Sequence, residues 1–303
     1  MTFLRGWGII IIVNNVWAGI IGVQLNIIDE KILLLDLAPT NDSKGNFYTL
    51  KVVLMDIVKC CWSGGKDSSC ATHLHLVQGD KVIVTNYVPM FTDTIPLILK
   101  EHYDFIMQTI ELWKQMGADV YQVHGITYWD WVHKISTRGK NKDKPFGFPF
   151  WRVGACGFNR DSKSKTVAEI DERFNLKYDY MDLGIAFDEV DRHSQLNDYK
   201  RSILVEKKIT ENMATEYCKV NGLYSPHYLH HKRDGCTLCP QAKPSERIEW
   251  FKQYPEAFDL VLELQEFVKQ ERPEQTPLRD YKFFIEEDMQ MSMFETGKRW
   301  IIN

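Results

Sequence analysis

Between Cys61 and Cys70 the chain reads CWSGGKDSSC, and this turn limits the possible folds more than any other stretch. The residues before it, Val52 to Trp62, read as a buried strand broken by the glycines. Those after it, Asp67 to Gln78, read as a helix with Ala71, Leu74 and Val77 on one face and Gly79 as its stop. A glycine pair between strand and helix lets backbone N–H groups converge on one concave spot, because no side chain blocks it. The helix adds partial positive charge at its start. Lys66 brings a full charge, and Ser63, Ser68 and Ser69 bring hydroxyls. Together they favour a polyphosphate or similar oxyanion. A plain strand-to-helix turn with a serine cap is the simpler alternative, and the lysine, aspartate and serines argue against it. Asp67 reads as a magnesium ligand, a loop brace or an ordinary acid of a first helical turn. The order matches neither G-x-x-x-x-G-K-[ST] nor G-x-G-x-x-G.

Strand and helix patterns keep alternating downstream. Lys81–Val88 reads as a strand, Ile95–Met116 as a long helix, Ala118–Ile126 as a third strand. A helix from about Ser162 and a strand from Asp179 follow. This order predicts an α/β fold, a doubly wound parallel sheet with right-handed crossovers, and places the ligand beyond the carboxyl ends of its strands. The C-terminal third reads as mostly helical over Leu196–Asn221, Ser245–Tyr254 and Pro255–Lys269, with a polar tail after Pro273. Three regions result: an N-terminal appendage at 1–54, a nucleotide-binding α/β domain at 55–195, and a helical region with a C-x-x-C at 196–303.

The uncharged run from Gly6 to Ile28 could span a bilayer by length. Asn14, Asn15, Gln24 and Asn26 interrupt it, a β-rich appendage is an alternative to a membrane anchor, and no membrane partner is expected. Met55 could also serve as a start, since MDIVKCCWSGGKDS opens directly on a strand. A net charge of -4 argues against attachment to nucleic acid by bulk charge. The basic stretch TRGKNKDK at Thr137–Lys144 reads as a solvated loop or, less simply, a phosphate or nucleic-acid contact. Seven unevenly spaced cysteines do not form a secreted disulfide pattern and point to a reducing, cytoplasmic setting.

SGGKDS at Ser63–Ser68 resembles the pyrophosphate loop of the adenine-nucleotide alpha-hydrolase superfamily, whose members bind ATP or a sulfated adenylate on a five-stranded parallel sheet. Within it, the chain is most similar to the phosphoadenosine phosphosulfate reductase-like family. FPFWRVGACGFNRDSK (Phe148–Lys163), GIAFDEVDR (Gly184–Arg192) and GLYSPHYLHHKRDGCTLCP (Gly222–Pro240) carry the resemblance further. It implies nucleotide or phosphate contacts from Ser63, Gly64, Gly65, Lys66, Asp67, Ser68, Arg152, Lys163 and Arg192, with Lys165 as an alternative to Lys163. The family's arginine after glycine–isoleucine is missing, since Ala186 and Phe187 follow Ile185.

The C-x-x-C of GCTLCP lets two thiolates converge on one metal or cluster. The resemblance implies a [4Fe–4S] cluster on Cys156, Cys236 and Cys239, with Cys218 as a fourth ligand. Zn²⁺ on those cysteines with His230 or His231, or no metal at all, are the alternatives. Cys60, Cys61 and Cys70 read as packing. The reductases use a nucleophilic cysteine near the C-terminus, and no cysteine follows Cys239 here. The resemblance therefore implies an ATP pyrophosphatase-type enzyme with Lys66 and Asp67 as catalytic candidates. ATP, or phosphoadenylyl sulfate, with Mg²⁺ would be its cofactors. A sulfur donor or thiol reductant protein and a nucleic-acid acceptor are the partners it suggests. Reduction of phosphoadenylyl sulfate or adenylyl sulfate with a rearranged thiol, and nucleotide binding without turnover, remain open.

Overall fold

In the computed structural model the described residues are the strands at 2–6, 9–13, 33–40 and 47–54, and 56–275 apart from 150, 153–154, 232–233 and 240–241. Four N-terminal strands, β1 (Thr2–Gly6), β2 (Ile9–Val13), β3 (Leu33–Thr40) and β4 (Phe47–Leu54), form one sheet in that order. Its outer pairs are antiparallel and its central pair is parallel. No helix among the described residues is long and apolar enough to cross a membrane. The run expected as a single strand from Val52 to Trp62 is instead shared between two sheets. β4 ends at Leu54, and β5 (Ile57–Trp62) opens the second sheet.

That second sheet is five-stranded and wholly parallel. After β5 come α1 (Lys66–Gln78), β6 (Lys81–Tyr87), α2 (Lys100–Gln115), β7 (Asp119–Val123) and α3 (Tyr128–His133). The short strands β8 (Trp151–Arg152) and β9 (Ala155–Cys156) form a ribbon ahead of α4 (Lys165–Arg173), β10 (Tyr180–Leu183) and β11 (Lys200–Arg201). The strand order is β11-β10-β5-β6-β7, and all four pairings are parallel. The chain first winds outward from β5 to β7, then crosses back to β10 on the other side. The gap between β5 and β10 is therefore the point where winding reverses, the place where such sheets form a crevice.

Burial follows position. Val58, Cys60 and Trp62 of β5 are enclosed, as is Lys59 on the opposite face, because a central parallel strand is covered on both sides. The Lys59 ammonium is held by Asp171 of α4 and lies over the Tyr178 ring, so the buried charge is paired. α1 stops at Gly79, whose φ of 89° is the left-handed conformation expected of a glycine helix stop.

Two helices depart from the sequence expectation. The helix expected over Ile95–Met116 begins only at Lys100. Pro96 biases Ile95 away from helical geometry, and the segment instead bridges back to Met90. Ile95, Leu97, Ile98 and Leu99 are all buried, so their apolar pattern records enclosure and not a helix face. The helix expected over Leu196–Asn221 is broken into β11, α5 (Ile203–Glu206) and α6 (Glu211–Val220). Ser202 and Thr210 cap the two helices, and Lys208 between them has φ 56°. α7 (Pro244–Gln253) and α8 (Pro255–Glu271) lie where helices were expected.

Two large apolar clusters result. One joins β5, β6, α1 and α2 to Ile203, Leu204, Ala214, Cys218 and Leu223. The other is aromatic, built on Phe91, Tyr128, Trp131, Phe158 and Trp250 with the inner face of α8.

Candidate phosphate turn and the histidine and cysteine segment beside it

The glycine turn leaves the carboxyl end of β5 at the reversal point. Gly64 has φ +82°, and a Cβ there would lie 2.7 Å from Ile106 Cγ1, so only glycine fits. Gly184, just after β10, is pressed against the first turn of α1, where a Cβ would meet Ser68 N at 2.6 Å. The ends of β5 and β10 are thus clamped together around the start of α1.

The serines divide the work. Ser68 is buried; its hydroxyl donates to Gly65 O at 3.0 Å and accepts from the Ser63 N–H at 3.2 Å, which fixes the turn internally. Ser69 Oγ accepts from the Trp62 indole at 2.8 Å and is enclosed. Ser63 is exposed on the rim. Gly65 occupies the N-cap position, and no side chain caps α1 there. A long helix with an uncapped start and a lysine beside it is suited to an anion.

Lys66 Nζ lies 2.7 Å from Asp67 Oδ2 and 3.5 Å from Glu211 Oε2. Burial works against its charge, but Asp67 and Glu211 outweigh that and hold its pKa above the ordinary lysine value. Burial raises the Asp67 pKa, with Glu211 and Glu189 adding to the rise and Lys66 opposing it. Asp67 Oδ1 is buried without a hydrogen-bond partner. A buried carboxylate oxygen left unmatched is costly, and a cation would satisfy it. Of the other expected contacts, Arg192 is drawn toward this end, bonded to Glu189 at 2.7 Å, while Glu189 accepts from Ala186 N. Lys163 is exposed, in the turn Asn159–Ser164. Arg152 lies in β8, and its side chain is outside the described residues.

The segment after α6 supplies what the sequence reading of the turn missed. A Cβ on Gly65 would meet Asp234 Oδ2 at 3.1 Å and the Tyr228 hydroxyl at 3.4 Å. Tyr228 donates to Asp234 at 3.0 Å, so the two form one wall over the turn. Burial, followed by Asp234, raises the Tyr228 pKa and keeps its proton in place. His102 forms a second wall, with Cε1 3.2 Å from the same hypothetical Cβ on Gly64. Its Nδ1 lies 2.9 Å from Ser225 Oγ. Burial lowers its pKa to about 4, His227 adds to that fall and Asp234 opposes it, so the ring is neutral.

Cys156 and Cys236 pack against the same aromatic cluster. Cys156 and Cys236 both lie near Tyr87, whose pKa is raised first by burial and then by those two sulfurs. The Cys239 N–H bonds to Cys236 O at 3.1 Å in the same turn. Cys218 lies elsewhere, fully buried, with Sγ 3.1 Å from Lys66 O and Cys70 beside it. Among the described residues, the one group of three or more ligand atoms gathered closely enough for a metal contains no thiol. Cys218 belongs to the other apolar cluster, away from the aromatic one that Cys156 and Cys236 pack against, and no chemistry is derived through an iron–sulfur cluster or a thiolate zinc site. Cys60 and Cys70 are buried in the core, as packing residues would be. The basic loop at Thr137–Lys144 borders a cleft of about 690 Å³, where Arg160 and Lys165 pair with Asp161 and Glu169.

No protein-family model matches the chain, and no curated protein matches it. Among solved structures it is similar to a 4-thiouridine synthetase in complex with RNA and bound ATP, at 15% identity and a TM-score of 0.36. That alignment covers 80% of this chain and 63% of the synthetase chain, so this chain spans less than two thirds of its length.

Proposed function

We propose that this chain is a PP-loop enzyme that binds ATP with its phosphates on Ser63–Ser68 and forms an adenylate. The observation that carries the reading is the turn itself. It combines a left-handed Gly64, an uncapped helix start, Lys66 and an unmatched Asp67 oxygen at the winding reversal of a parallel sheet. In the proposed reaction an acceptor oxygen attacks the α-phosphorus, the bond from that phosphorus to the bridging oxygen breaks, and pyrophosphate leaves. Lys66 and the turn amides stabilise the charge that gathers on the leaving group. Asp67 is the residue that would hold Mg²⁺, which offsets the triphosphate charge. A sulfur or nitrogen nucleophile then displaces AMP, which places the chemistry in sulfur transfer or nucleotide modification.

Reduction of phosphoadenylyl sulfate or adenylyl sulfate with a rearranged thiol is the alternative reading. The test is ATP-dependent pyrophosphate release with candidate acceptors. Lys66→Ala should lower it about 100- to 1,000-fold, the range for losing one preorganised charge-stabilising group. Full activity in that variant removes the reading. Thiol-dependent sulfite production would favour the reductase, and tight ATP binding without either product would favour a module without turnover.

A further inference from the structure

We infer that Glu101, His227 and His231 form a site for a divalent first-row transition ion, next to the phosphate turn and separate from the cysteines. One ligand atom from each lies within 4.8 Å of the others. The three come from different places: Glu101 from the first turn of α2, His227 from the helical turn Pro226–Leu229, and His231 from just after that turn. His227 is buried and the other two are half-buried.

A plainer reading of each residue exists. Glu101 could simply complement the positive start of α2, and the histidines could be packing. One observation counts against that. Glu101 Oε1 is buried without a hydrogen-bond partner, so its placement is not explained by a hydrogen bond it already makes. His227 Nδ1 stands 3.8 Å from that oxygen, and His231 Nδ1 stands 3.8 Å from Glu246 Oε1.

The donor set selects the ion. Two imidazoles and one carboxylate suit Zn²⁺ and its first-row neighbours, whereas Mg²⁺ and Ca²⁺ favour oxygen alone. Three protein ligands leave coordination positions open. Glu246, only 5% exposed, stands where it could orient the His231 ring. The His102 ring lies 5.3 Å from His227. The inference does not depend on what the turn at Ser63–Ser68 binds.

The test is a Co²⁺ titration of the full chain after chelator treatment, followed in the visible region. It is repeated on Cys156→Ser/Cys236→Ser/Cys239→Ser, which has no thiol in the C-x-x-C region. We expect about one Co²⁺ per chain, weak ligand-field bands, and no sulfur-to-metal charge-transfer band in the triple variant. Glu101→Gln or His227→Gln on that background should weaken binding more than about 100-fold, the upper end of the cost of losing an outer-shell partner. Circular dichroism in chelator confirms that each variant is folded. Failure of the triple variant to bind Co²⁺, or binding unaffected by both substitutions, overturns the site. If the triple variant does not fold, the wild-type spectrum decides: weak bands alone support the site, and a sulfur-to-metal band overturns it.

Discussion

The phosphate turn and the histidine cluster share His102 as a wall, yet they are built in opposite ways. The turn is backbone: glycines, helix N–H groups and an internal serine brace within one short run of sequence. The cluster is side chain: a carboxylate and two imidazoles delivered by separate segments. The first is suited to an anion and tolerates almost no added atom. The second is suited to a cation, and its backbone could accept many residues. The difference teaches which kind of substitution disables which site.

The largest effect should come from Gly64→Ala, compared with Gly79→Ala. Both glycines have positive φ, +82° and +89°. At Gly79 nothing lies within 4 Å of a new Cβ, so only the left-handed backbone cost of about 1–2 kcal/mol applies. At Gly64 the same cost is joined by overlap with Ile106, which is 2% exposed and cannot easily yield. Adding about 1–3 kcal/mol for overpacking gives a loss of about 2–5 kcal/mol by denaturant titration. On the proposed function, Gly64→Ala also loses pyrophosphate release while Gly79→Ala keeps it. Equal losses in the two variants would remove the steric argument at the turn.

What could be read beforehand follows the same division. The turn was legible because its parts are contiguous and its glycines, lysine and serines act through local geometry. The parallel sheet was legible because β5, β6 and β7 alternate with helices. Ile95–Leu99 misled because a fully buried extended segment carries the same apolar spacing as a helix. The histidine cluster had one local sign, the pair His227 and His231 four residues apart in HYLHH. Its third member is far off in sequence, and nothing in EHYDF marks Glu101 as its companion. Asp234 and Tyr228 were hidden for the same reason, since their contact with Gly65 exists only after α6 folds back on α1.

A smaller effect is expected at His75, outside the cluster. His75, 2% exposed, sits between Asp80 and Asp182. Burial alone would lower its pKa, but the Asp182 and Asp80 bonds outweigh it and raise the value to about 9. A raised histidine pKa contributes stability that is full below the unfolded value near 6.5 and fades as pH climbs through about 9. The burial cost on Asp182, whose own pKa is raised, reduces the net gain. His75→Gln should therefore cost on the order of 2 kcal/mol at pH 6, and the gap to the wild type should narrow by pH 10. Urea midpoints across that range measure it. A gap that widens with pH would mean the ring is buried neutral.

The smallest effect is expected at Cys218, which touches the turn and on the proposed reading has no part in binding. It is fully buried, and its Sγ donates to Lys66 O at 3.1 Å, the first carbonyl of α1. The hydrogen bond with Cys70 and burial raise its thiol pKa, which disfavours the thiolate. Cys218→Ala removes one weak hydrogen bond and a small buried volume, a loss of about 1 kcal/mol. Metal content of the purified chain should not change, whatever metal it holds. A fall in bound iron or zinc in Cys218→Ala would move Cys218 into a ligand set. It would also require α6 to sit differently against the start of α1, and with it the lysine on which the phosphate turn depends.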